Sequence, residues 1–357
     1  MLAGKRDVEE PLAGKSTLNR MELTPDGAPA AADDRYHKIT YSSVQLDALR
    51  VDIFLEAHST APAQIVLDLD VTDTLLYGQQ EERFFHGYYG DYCYLPLYIF
   101  SGEHLLCARQ RASNQEASAG ALEEVQRIIG QIRRHWPPVQ IILRAHSGFC
   151  REPLLAWCES QHVDYVFALA RKERLEAEIA DPLAQAQSEH EQSKQPARVF
   201  SEFAYQTRTS WSRPRRVVAK AEYLDKGPNP RFVVTSLGAE TWPKQKLYEQ
   251  LYCARGEMEN RIKEQLSLFA DRMSAETLRA NQLRLYLSSF AYVLVHALRR
   301  LGLAATEWAR AQVNTIRLRL LKIAAEVRLS ARRIGVRYPR AYPWRALFAA
   351  AWSALRC

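Results

Sequence analysis

The sequence has no C-x-x-C pair, and its six cysteines fit no zinc-ligand spacing. This argues against a disulfide framework and a structural zinc, and points to reduced thiols in a cytosolic protein. No long apolar run is present either. The greasiest segment, residues 285–298, carries Ser288, Ser289 and His296 and is too short and too polar to span a bilayer. It reads as a buried helix. The N-terminal MLAGKRDVEE is polar and is not a signal peptide. PLAGKSTL resembles a phosphate-binding loop, but Glu9 stands where its first glycine belongs and no strand precedes it.

What is present is ordinary globular composition with an uneven charge. The 357 residues are 47% hydrophobic and 25% charged, with a net charge of +7. Residues 307–357 hold eleven Lys or Arg against Glu307 and Glu326. Such a tail suits a polyanion, nucleic acid above all, or is a solvated helix face.

Periodicity supplies the elements. A helix is predicted over 44–57. QIVLDLD (64–70) is an apolar, β-branched run and reads as a central strand. Strands follow at 92–100 and 104–111, then a helix over 118–136 that Pro137-Pro138 stops. Residues 139–144 read as a strand, 152–161 as a helix and 163–170 as a strand. A polar helical segment runs from 172 to about 191. The order is a meander followed by strands separated by helices, which predicts an α/β fold with a mixed sheet. Three more strand-like runs between 197 and 237 look like an inserted antiparallel subdomain. From about 244 onward the chain reads as helical.

Two stretches carry candidate chemistry. In D-L-D-V-T-D, strand alternation puts Asp68 and Asp70 on one face. Side-by-side carboxylates repel, so they call for a hard cation such as Mg²⁺ or Mn²⁺, or for an arginine or backbone partner. In LYCARGEMENRIKE (251–264), helical spacing stacks Arg255 on Glu259, which alone describes a salt-bridged surface helix.

Together these stretches resemble the bacterial insertion-sequence DDE transposases, in the subgroup with a Y-x2-R-x3-E element, here Tyr252, Arg255 and Glu259. Asp70 and Thr72 match the first acid in its D-x-T setting. The second acid of the family lies in R-x-D-S-G-F after the fourth strand, where this chain reads Arg144, Ala145, His146, Ser147, Gly148, Phe149. ERFFHGYYG (82–90) matches as well.

The resemblance implies a ribonuclease H-like mixed sheet with an inserted antiparallel β subdomain and a basic helical C-terminal region. It divides the chain into 1–62, a shortened N-terminal region; 63–191, the first part of the core; 192–240, the insertion; 241–305, the part carrying the glutamate helix; and 306–357, the basic tail. It implies a DNA transposase acting by two-metal phosphoryl transfer with Mg²⁺ or Mn²⁺. The metal ligands would be Asp70 and Glu259, with Asp68 as a further candidate. Double-stranded DNA is the implied partner and a homodimer the implied state on it, in the cytoplasm at a bacterial nucleoid. The DNA-binding candidates are Tyr252, Arg255, Lys263, Trp211, Arg279 and Arg284. Trp211 is a candidate for stacking a flipped base.

His146 departs from the pattern. Imidazole offers one neutral nitrogen where the family has a bridging anion. Three readings stand: an inactivating substitution, a working Mn²⁺ ligand, or a non-catalytic DNA-binding remnant. Asp68, Asp73 and Asp164 are the acids that would stand in.

Overall fold

The computed structural model describes residues 39–356. The expectations about a shortened front end and the PLAGKSTL loop fall on residues outside this range.

Helix α1 (Ser43–Glu56) starts where the Ser42 hydroxyl accepts from the Gln45 N–H. Strand β1 (Gln64–Val71) follows. A small sheet of β2 (Thr74–Leu75), β3 (Phe84–His86) and β4 (Asp91–Tyr94) comes next, in the order β2-β4-β3. The strand expected over 92–100 is two strands, β4 and then β5 (Leu97–Ser101). Pro96 has no N–H for a ladder, so the chain changes sheets there. Strand β6 (His104–Arg109) pairs back on β5. Helix α2 (Ala121–His135) begins later than expected, at Gly120, whose φ of +70° suits glycine.

Strand β7 (Gln140–Ala145), helix α3 (Glu152–Ser160) and strand β8 (Asp164–Leu169) complete two parallel crossovers from β1. Helices α4 (Glu173–Ala177) and α5 (Ala180–Ser193) lead to β9 (Ala197–Tyr205), β10 (Arg215–Leu224), β11 (Gly227–Pro228) and β12 (Arg231–Thr235). In the segment expected as an inserted antiparallel subdomain, β9, β10 and β12 pair antiparallel. β12 pairs antiparallel with β8, so one nine-stranded sheet runs β11-β10-β12-β8-β7-β1-β5-β6, with β9 beside β10. The Arg215 guanidinium reaches Glu152 and Glu159 of α3 at 2.6 and 2.7 Å and ties β10 to the helix below.

One face of the sheet carries a core with α1 and α2, through Phe54, Val125, Ile128 and Ile132. The other face has two covers. Leu247, Tyr248 and Leu251 lie over β7, β8, β10 and β12. Helices α6 (Gly256–Gln265) and α7 (Leu278–Ala297) lie over β5 and β6, through Met258, Ile262 and Tyr292. The first cover, Leu247–Tyr252, is a π-turn, and a second π-turn at Leu266–Ala270 follows α6.

The tail, expected to be helical throughout, instead contains a hairpin of β13 (Glu326–Leu329) and β14 (Ile334–Arg337), followed by helix α8 (Arg345–Leu355). Val327, Leu329, Ile334 and Val336 alternate with other residues, and period two favours a strand pair. No helix among the described residues is long and apolar enough to cross a membrane.

Candidate functional site

Parallel pairing of β1 with β7 sets the site. The register places Asp68 beside Arg144 and Leu69 beside Ala145, so Asp70 and His146 emerge together at the strand ends. Ladder neighbours on one face meet, which gives two stacked pairs, Asp68 with Arg144 and Asp70 with His146.

The lower pair is closed on itself. Arg144 donates to both Asp68 oxygens at 2.5 and 2.7 Å and to the Leu251 carbonyl at 2.5 Å, with both side chains buried. Burial raises the Asp68 carboxyl and Arg144 opposes it. Both oxygens of Asp68, expected as a further metal ligand, are thus held by a bidentate guanidinium.

The upper pair opens into a cleft of about 830 Å³ that also receives Arg255, Glu259 and Lys263 from α6 and the turn before it. Arg255 reaches Asp70 Oδ2 at 2.8 Å and Glu259 Oε1 at 3.0 Å. The i,i+4 stack seen in the sequence is thus also a long-range bridge between the two acids. Burial raises the Asp70 carboxyl, and the Arg255 charge works against that. Burial likewise raises the Tyr252 phenol, again opposed by Arg255. Tyr252 packs on Tyr248 with ring centres 5.4 Å apart.

His146 Nδ1 accepts the Gly148 N–H at 3.0 Å, and Nε2 lies 3.4 Å from Asp70 Oδ1. Burial, then the Arg255 and Arg151 charges, push this imidazole down to about 4. It is neutral at pH 7, and a neutral imidazole whose Nδ1 accepts carries its proton on Nε2. The nitrogen facing Asp70 is therefore a donor, with no lone pair for a cation. Two carboxylates already bridged by a guanidinium, with a protonated nitrogen in third place, do not fit a pair of divalent ions. Among the described residues, no three His, Cys, Asp or Glu side chains are gathered so as to hold a metal ion.

The other sequence candidates lie apart. Trp211 is buried, packed on Tyr205 at 5.9 Å with the Arg215 guanidinium 5.2 Å over its ring. The ring expected to stack on a flipped base is thus packed against protein neighbours. Arg279 lies over the Tyr41 ring at 5.4 Å, and Arg284 donates to the Ser274 hydroxyl at 2.7 Å. Neither lines the cleft. Sequence reasoning missed Gln115, Glu116 and Ala117, which also line the cleft. Their segment has no periodicity, so no local signal marks them. His86, Tyr88 and Tyr89 also line the cleft.

The sequence matches the family described as "Transposase DDE domain group 1" over residues 1–357. A search of curated proteins found no match. Among solved structures, the chain is similar to the piggyBac transposase in its synaptic complex with hairpin DNA, at 9% identity and a TM-score of 0.39. That likeness covers 72% of this chain and 52% of the other, so the chain spans about half the length of the protein it matches. The family match runs over the full length, and the chain belongs to the DDE-domain transposases of group 1.

Proposed function

We propose that this chain is an insertion-sequence transposase, bacterial and of the Y-R-E subgroup, that binds double-stranded DNA and does not cut it. Its core is read as ribonuclease H-like, with β6-β5-β1-β7-β8 as the meander and crossovers that fold requires. The reading places it in the cytoplasm on the nucleoid, as a homodimer on DNA. The family's chemistry is phosphoryl transfer with Mg²⁺ or Mn²⁺, the cations activating the attacking oxygen and stabilising the leaving one. One observation carries the proposed loss. His146 occupies the second-acid position, with Nδ1 accepting the Gly148 N–H and Nε2 3.4 Å from Asp70 Oδ1.

The residues still present are those that hold DNA. Lys263 brings its ammonium to the cleft, and Arg255 ends on the same opening. Arg255 offsets one of the two charges on Asp70 and Glu259 at about 3 Å, and Lys263 in the same cleft supplies a second positive charge, so the repulsion of an incoming phosphate is reduced.

The test compares the purified chain with His146→Asp on DNA bearing candidate element ends, in Mg²⁺ and in Mn²⁺. Manganese binding is read separately by electron paramagnetic resonance. The expected result is nicking by the aspartate variant only, with Mn²⁺ held at least about tenfold more tightly than by the parent, because a hard anionic ligand replaces a nitrogen donor. Nicking by the parent would overturn the proposal and make His146 a working ligand.

A further inference from the structure

The hairpin of β13 and β14 is a basic feature outside the cleft. Every residue from 324 to 341 is exposed, so neither face of the ribbon packs on the body of the protein. Its turn is closed by Ser330, whose N–H donates to the Arg333 carbonyl at 2.9 Å. At its base, Tyr338 meets Phe348 of α8 with ring centres 5.1 Å apart.

Cross-strand register sorts the side chains. Val327 faces Val336 and Leu329 faces Ile334 on one side. Glu326, Arg328 and Arg337 occupy the other, and Arg332 and Arg333 sit at the tip. Residues 322–340 hold six Lys or Arg against the single Glu326. Arg328 is paired with Glu326 at 2.7 Å, whereas Arg332, Arg333 and Arg337 form no ion pair among the described residues. An isolated two-stranded hairpin is at best marginally stable in water, so a ribbon projecting alone is one that a partner completes.

We propose that this ribbon is a DNA-binding arm, whose basic face and tip enter the major groove of duplex DNA and contact its phosphates. The inference rests on the DNA-binding reading above and extends it to a second surface. Charge selects the partner, because unpaired arginines at the tip of a solvated arm complement a polyanion. Shape agrees, since the major groove, about 12 Å wide, admits a two-stranded β-ribbon. The arginines meet phosphate and therefore bind independently of sequence.

The test is binding to a random-sequence duplex of about 25 base pairs, followed by fluorescence anisotropy over a salt series. Every phosphate that an arginine no longer neutralises flattens the plot of log affinity against log salt by about 0.9. The variant Arg332→Gln/Arg333→Gln/Arg337→Gln is expected to flatten it by about 2 to 3 and to weaken binding about tenfold or more near 100 mM salt. Val327→Thr/Val336→Thr, on the other face, is expected to leave the slope unchanged. All five positions are exposed, and circular dichroism melting confirms that the variants fold. If the parent binds with a steep slope and the arginine variant matches it, the arm is overturned while the DNA-binding reading stands. The same holds if the valine variant abolishes a dimer seen by sedimentation while the arginine variant leaves DNA affinity intact, because the ribbon then joins two copies. If the parent binds no duplex at any salt, both readings fall.

Discussion

His146 sits beneath a turn that leaves no room for a side chain. A Cβ on Gly148 would lie 2.5 Å from His146 Cε1 and 2.9 Å from the Ala117 Cβ. Only glycine lets the turn close over the ring. Gly148→Ala is therefore expected to destabilise the fold by about 1–3 kcal/mol, as overpacking does. In a His146→Ala background the penalty should shrink without vanishing, because the Ala117 Cβ is still in the way; equal penalties in urea melts would contradict this account. The imidazole also sets a pH dependence. Its folded value of about 4 lies below the ordinary 6.5, so the unfolded chain binds more protons between those limits. This contribution to stability is whole above pH 6.5 and is lost as pH falls toward 4. His104, pushed down to about 3 by burial, acts in the same direction. Urea midpoints measured between pH 7 and 4 should decline less steeply in His146→Asn than in the parent. At this scale the sequence shows which residues belong to the site, because strand alternation and i,i+4 spacing are local. It does not show that Arg255 reaches across to Asp70, nor which nitrogen of His146 bears the proton. Both depend on partners far along the chain or on a single turn N–H.

At the scale of elements, the buried Asp68–Arg144 pair couples β1 to β7 and, through the Leu251 carbonyl, to the π-turn that leads into α6. Removing one partner strands a buried charge. Arg144→Met is expected to cost about 3–5 kcal/mol, whereas the double change Asp68→Leu/Arg144→Met should recover much of that loss. A double-mutant cycle in guanidinium measures it, and additive penalties would mean that the two groups do not interact. The strands themselves are legible because they are short apolar runs with clear stops. The extent of some is not. Pro96 splits one predicted strand into two that belong to different sheets, and Gly120 delays a helix by its backbone conformation. The hairpin in the tail has a period-two pattern, but its many arginines and its position after a long helical region favour a helical reading. What reveals the strands is the pairing of Val327 with Val336 and Leu329 with Ile334, which is a property of two segments together.

For the molecule as a whole, the sheet decides how the parts cooperate. Residues 192–240 look separable in sequence because they are antiparallel strands with their own turns. Nothing local announces that β12 will lie beside β8, since that pairing joins residues more than sixty positions apart. Once it forms, nine strands share one hydrogen-bonded ladder, and Arg215 fixes β10 to α3 through two carboxylates. The expected physical consequence is that the inserted strands and the core strands unfold as a single cooperative unit. Native-state hydrogen exchange tests this directly. Amides of β10 and β12 should open with the same free energy and the same denaturant dependence as those of β1 and β7, because core strands exchange only through global unfolding. Arg215→Ala should lower the opening energy of all four strands together. Loss of protection confined to β9 through β12, with β1 and β7 unchanged, would mean that this wing unfolds by itself and that the boundary suggested by the sequence is energetically real.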